Sequence, residues 1–101
     1  FIKRGGEMIS PEEVEQVLLS HPDVNDAAVI GIADLEWGEE VTAVVVRRST
    51  LVSAEALIEH CQQRLSSFKR PSSVVFVEEL PRNAMGKVLK RDLRERFAKP
   101  Y

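Results

Sequence analysis

The chain has 101 residues, 44% hydrophobic and 30% charged, with 14 Lys/Arg against 16 Asp/Glu and a net charge of −2 at pH 7. That length makes one domain with a modest core and is too short for two. The single cysteine, Cys61, excludes an internal disulfide and fits a reducing compartment.

No apolar run is long enough for a secretory or transmembrane segment, and the terminal Lys99-Pro100-Tyr101 is no recognisable targeting tripeptide, so a soluble cytoplasmic protein is expected. The first residues, Phe1 and Ile2, are already apolar and no initiator Met precedes them, as in a piece of something longer. Charge is uneven. Residues 1–50 carry four Lys/Arg against ten Asp/Glu, and residues 51–101 carry ten against six. The basic half suits phosphate, whether of nucleic acid or of a smaller polyphosphate. Aromatic residues are few and not interleaved with the basic ones, so no stacking platform for nucleic acid is visible.

In chain order, Phe1–Arg4 and Glu7–Ile9 flank Gly5-Gly6, which reads as a tight hairpin because paired glycines supply the positive φ such turns need. Both strands are too short to stand alone. A helix should start at Ser10, with Ser10 as N-cap, Pro11 at the first helical position, Glu13 completing a capping box and Ile9 stapled over Val14. Val14, Val17 and Leu18 form its buried stripe, and His21-Pro22 stops it. The Val/Ile-rich runs 27–32 and 41–46 are nearly continuous, as expected of strands covered on both faces.

Between those runs, residues 34–40 read as a polar loop holding the only tryptophan, Trp37. It is either a lid over the sheet edge or a flat surface for a ligand ring. Ser53 caps a second helix with Leu57, Ile58, Cys61 and Leu65 on one face, which makes Cys61 a core residue. That helix runs out at residues 66–71, and a third strand is expected over 74–77. His21, His60 and Cys61 have no metal-ligand spacing, and no Ser, His and Asp set suggests acyl-enzyme chemistry. The expected class is α+β: an N-terminal β-hairpin plus a small three-stranded mixed sheet packed with helices.

The most suggestive stretch is Pro81–Arg94, PRNAMGKVLKRDLR. Its Pro, Asn and Gly residues predict an exposed loop presenting Lys87, and the spacing of Leu89, Leu93 and Phe97 predicts a helix anchoring it. A P-loop is excluded, because Pro81 and Val88 stand where GxxxxGK[ST] requires Gly and Ser or Thr. Lys87 would therefore act as a single compact charge toward phosphate or carboxylate oxygens. Taken alone, a lysine beside a glycine is more often a solvated surface charge.

Three segments, FIKRGGEMISPEEVE, DLEWGEEVTAVVV and SSFKRP followed by LPRNAMGKVLKRDLR, resemble in this order the C-terminal domain of the acyl-adenylate-forming superfamily, most closely its acyl-CoA and aryl-CoA ligases. The resemblance spans residues 1–101. It implies a two-step enzyme in which a carboxylic acid, ATP and Mg2+ give an acyl-adenylate, and CoA then displaces AMP. ATP and Mg2+ would be held mainly by an N-terminal domain absent from this chain, which is the small domain's partner, and no metal site is expected here.

The resemblance further makes Lys87 the lysine that enters the active site for adenylation. Gly5 and Gly6 match the segment lining the pantetheine path after the small domain rotates. Trp37, Phe68 and Arg70 fall where such ligases contact the CoA nucleotide. The hinge residue and the phosphate-binding loop are not in this chain, so the fragment alone is expected to be inactive. An adenylation domain loading a carrier protein is the enzymatic alternative. A nucleic-acid-binding or interaction module is the non-enzymatic one.

Overall fold

The computed structural model describes residues 1–99; Pro100 and Tyr101, the last two residues of the C-terminal tripeptide, lie outside the described residues. In chain order the elements are β1 (Ile2–Arg4), β2 (Glu7–Ile9), α1 (Pro11–Leu19), β3 (Val24–Asp34), β4 (Gly38–Arg47), α2 (Ala54–Gln62), a 3-10 turn (Ser67–Lys69), β5 (Ser73–Phe76) and α3 (Lys90–Arg96). The α+β class is as expected. The hairpin, however, is not separate from the sheet: β1 pairs β4 through Arg4↔Gly38, making one five-stranded sheet. It is mixed, because β5 runs parallel to β4 and the other pairings are antiparallel.

Alternation along the two long strands decides which element covers which face. Ala27 and Val29 of β3 share a core with Val41, Ala43 and Val45 of β4, closed by Val14 and Leu18 of α1 and by Leu57 and Cys61 of α2. Ala28, Ile30 and Ile32, with Val44, form the opposite core under Leu80 and Leu93. Both faces are thus covered, which is why these runs read as continuously apolar. Each fully buried Val or Leu contributes about 1.5–3 kcal/mol. At seven residues α3 is too short to be stable by itself, so it stands on Leu93, buried and joined by Val88 and Phe97.

Local signals performed unevenly. Ser53 caps α2 as expected, its Oγ accepting the Ala56 N–H at 3.1 Å. Ser10 occupies the N-cap of α1, but the capping box does not form: its hydroxyl donates to Glu12 at 3.1 Å, and Glu13 pairs with Lys69 at 2.9 Å. Ile9 and Val14 are both fully buried in one core, consistent with the expected staple. The long strands extend to Asp34 and from Gly38, so most of the expected polar loop is ladder and only residues 35–37 turn. Backbone pairing recruits Glu39 and Glu40 whatever their polarity. β5 lies one residue before the expected 74–77, although Val77 N–H still donates to Val45 O at 3.0 Å.

β3 is an edge strand, and its Val29 N–H is satisfied by the Glu15 carboxylate of α1 at 2.8 Å. The same carboxylate meets Lys90 of α3 at 2.8 Å, tying both layers together across the edge. No described helix is long and apolar enough to cross a membrane.

Candidate functional site

Lys87 sits in a turn held at several backbone points. Asn83 Oδ1 accepts the N–H groups of Met85 at 2.9 Å and Lys87 at 3.0 Å, the self-closing use of Asn that turns favour. Asn83 N–H donates to Lys87 O at 2.9 Å, Gly86 N–H donates to Asn83 O at 3.0 Å, and an isolated bridge joins Arg82 to Val88. Arg82 adds a tether, with Nη1 on Gly86 O and Nη2 on Asp26 Oδ2, both at 2.6 Å. The expected loop is therefore an ordered tight turn. Among the described residues no carboxylate pairs with the exposed Lys87 side chain, in contrast to Lys69, Lys90 and Lys99. Beside it an open groove of about 890 Å³ runs past Glu15 and Gly31 to Glu39.

The hairpin meets the β3–β4 turn at the far end of β3. Gly5 (φ +56°) and Gly6 (φ +88°) both use the left-handed region, where a side chain would strain the backbone. Gly5 N–H donates to Trp37 O at 2.9 Å, and a Cβ on Gly5 would meet Trp37 Cε3 at 3.1 Å, so the indole lies directly against a bare backbone. Arg4 closes the ring from its other contact, with Cζ 5.0 Å from the ring centroid. Trp37 is still 47% exposed, so it covers the sheet's end and presents surface to solvent at once. Asp34 shapes this turn: Oδ1 accepts the Glu36 and Trp37 N–H groups, and Oδ2 meets Lys99 at 2.9 Å. Lys99 above all, then those two N–H groups, lower its carboxyl from 3.8 to about 2.

The 3-10 turn lies against β2, on the hairpin's side of the domain. Phe68 is half-buried against the α1/α2 core. Arg70 is engaged within the chain, its Nε donating to Leu65 O at 3.1 Å and Nη2 to Gln62 O at 2.9 Å. It thereby satisfies the Gln62 carbonyl, which α2 leaves open at its C-terminus, and the Leu65 carbonyl of the segment that follows. Cys61 is fully buried, and burial pushes its thiol up to about 11, which suits a core residue and not a nucleophile. His60 spans α1 and α2 through its Nε2, 2.9 Å from Val17 O. No group of three or more His, Cys, Asp or Glu among the described residues could hold a metal ion.

The structure brings Gly5 and Trp37 into contact and puts the Phe68 segment beside the hairpin. Lys87 makes no contact with Gly5, Trp37 or Phe68, although its groove reaches Phe1, Ile2 and Glu39. Arg82 ties its turn to Asp26, near the start of β3, roughly 26 Å along the strand from Asp34. Three contributors escaped the sequence reading. Asn83 carried a signal, being a turn residue inside the lysine stretch. Arg4 and Glu39 carried none, because each acts on a residue more than 30 positions away.

The family model for the AMP-binding enzyme C-terminal domain matches residues 13–87. The chain is 44% identical over 98 residues to a long-chain-fatty-acid-CoA ligase of Mycobacterium tuberculosis, covering 97% of this chain and 20% of that protein. It is 47% identical over 95 residues to a 2-succinylbenzoate-CoA ligase of Bacillus mycoides, covering 94% and 20%. Among solved structures it superimposes on the ATP-bound MatB of Rhodopseudomonas palustris with a TM-score of 0.93 and 39% identity, over 99% of this chain and 20% of that one. The chain thus spans about a fifth of the length of the relatives it matches. With a model match over most of its length and a fold superimposing nearly end to end, the chain belongs to the AMP-binding enzyme C-terminal domain family.

Proposed function

We propose that residues 1–101 form the mobile C-terminal domain of a cytoplasmic acid-CoA ligase. In the first step a carboxylate oxygen of the acid attacks the α-phosphorus of ATP, and the bond to pyrophosphate breaks. In the second the CoA thiol, giving up its proton, attacks the acyl carbon and AMP leaves. ATP and Mg2+ are held mainly by the N-terminal domain, which also selects the acid. This domain supplies Lys87 to the first step and the Gly5-Gly6 turn to the second.

The observation that carries the reading is the state of Lys87: its backbone is fixed by Asn83 and Arg82, while its charge has no carboxylate partner among the described residues. A preorganised cation stabilises charge that develops between the attacking oxygen and the α-phosphate without reorganising at the moment of reaction. The second step needs a narrow passage for pantetheine, and a turn without Cβ atoms lines one. Trp37 offers its exposed face to the CoA adenine, Phe68 lies on the same side of the domain, and Arg70 offers the charge left over from capping α2 to a phosphate. The Lys87 turn is tied at Asp26 and the Trp37 turn is shaped by Asp34, roughly 26 Å apart along β3, which accords with their being used in turn, by rotation of the domain as a body.

The test is Lys87→Ala in the full-length enzyme, with the half-reactions measured separately. Adenylation should slow by at least about 10²-fold. Thioester formation from supplied acyl-adenylate and CoA should be slowed far less. Equal slowing of both would overturn the assignment.

A further inference from the structure

We propose that Glu39 is the positioning residue that holds the Gly5-Gly6 turn against Trp37, by accepting the Lys3 N–H on a carboxylate for which Gly31 leaves room. The inference rests on the reading above, in which that turn lines the path of pantetheine, and concerns how the turn is kept in place.

The backbone joins the hairpin to the sheet sparingly. β1 and β5 use the same edge of β4, β1 meeting it at Gly38 and β5 from Thr42 onward. Between these two contacts the register would bring Lys3 opposite Glu39, but no ladder pair forms there. Instead Lys3 N–H donates to Glu39 Oε1 at 2.9 Å, a side chain standing in for the missing rung. The next backbone bond along the chain, two residues on, is Gly5 N–H to Trp37 O at 2.9 Å. Release of Lys3 therefore leaves the Arg4–Gly38 pair and the Gly5–Trp37 bond as the polar ties of the turn end of the hairpin, while Ile2 and Ile9 stay buried in the core.

Space for the carboxylate comes from β3. Glu39 faces Ala33 in the β3–β4 ladder, and its side chain leans diagonally over Gly31, the next position on the same face. A Cβ on Gly31 would lie 2.5 Å from Glu39 Oε2, 2.9 Å from its Cδ and 3.1 Å from Cγ2 of the buried Ile2. A methyl there must expel the carboxylate, the mobile end of a flexible side chain, and with it the bond to Lys3. Glu39 and Gly31 are thus two halves of one latch, and either can be changed to open it.

In the full-length enzyme, Glu39→Ala, Glu39→Gln and Gly31→Ala are compared by amide hydrogen exchange at Lys3 and Gly5 and by the two half-reactions. Glu39→Ala and Gly31→Ala should each speed exchange at Lys3 about tenfold, the scale of one hydrogen bond to a charged acceptor, and raise the KM for CoA about fivefold or more. Adenylation, which uses the Lys87 turn at the other part of the groove, should change much less than the use of CoA. Glu39→Gln retains an oxygen acceptor and should stay within about threefold of the parent in both readouts. The latch is overturned by unchanged Lys3 exchange in Glu39→Ala, by Glu39→Gln behaving as Glu39→Ala, or by equal slowing of both half-reactions in a folded protein. A parent enzyme that makes the adenylate but takes no CoA overturns the CoA-ligase reading instead, and Lys3 exchange then decides the latch by itself.

Discussion

Replacing Asn83 with alanine removes the one side-chain oxygen that receives both the Met85 N–H at 2.9 Å and the Lys87 N–H at 3.0 Å. The turn is exposed, so water takes over both donors, and each bond is worth the lower part of the usual 0.5–1.5 kcal/mol, about 1–2 kcal/mol for the pair. Global stability should barely change, because the Leu93 anchor, the Arg82–Asp26 pair and the bond from Asn83 N–H to Lys87 O are untouched. What changes is the ratio of ordered to open turn, by a factor of about 5–30 for that free energy. On the proposed function, adenylation by the full-length Asn83→Ala enzyme should therefore slow by up to about 5–30-fold, between the parent and the larger loss in Lys87→Ala. Single-turnover pyrophosphate release measures it, with thioester formation from supplied acyl-adenylate as the control. An unchanged adenylation rate would refute the argument that the order of the turn delivers the lysine. A loss equal to that of Lys87→Ala, with an intact thermal transition, would mean Asn83 itself touches the substrate.

Other perturbations test the remaining geometry. Arg70→Ala should lower stability by about 1.5–3 kcal/mol, read from the urea midpoint at constant m, because Leu65 O and Gln62 O lose charged donors; an unchanged midpoint with a raised KM for CoA would assign Arg70 to the ligand alone. His60 is held below its ordinary 6.5, first by burial and then by Arg64 and His21 against the opposing bond to Val17 O. Its folded pKa lies below the unfolded one, so its stabilising contribution is complete above about 6.5 and is lost as pH falls through the folded value; NMR titration of the ring and acid-side unfolding curves of His60→Gln check this. Asp34, at about 2 against 3.8, contributes stability above pH 4 that disappears as pH falls toward 2. In Lys99→Ala its carboxyl should titrate closer to 3.8, and an unshifted Asp34 would refute the pairing.

Much of this protein is written in local stretches of its sequence. The Gly5-Gly6 turn, the starts of α1 and α2, the two-faced burial of β3 and β4 and the exposure of the Lys87 turn each depend on φ preference, capping or apolar periodicity within a few residues. The resemblance was legible for the same reason, because its three motifs are contiguous runs. Contacts between distant residues were not legible. Ser10 turned its hydroxyl to Glu12 once Glu13 was drawn to Lys69, which is 56 positions away. Arg70 was engaged only because the chain turns back beside the open carbonyls of Gln62, at the end of α2, and of Leu65. The merger of the hairpin with the sheet rests on one ladder pair, a carboxylate on β4 with room left by Gly31 on β3, and the burial of Ile2 and Ile9 in the shared core. Sequence determines what each segment can do with its near neighbours. Which donor finds which acceptor across the domain depends on how the segments pack, and the surroundings of Trp37, Arg70 and Glu39 were decided there.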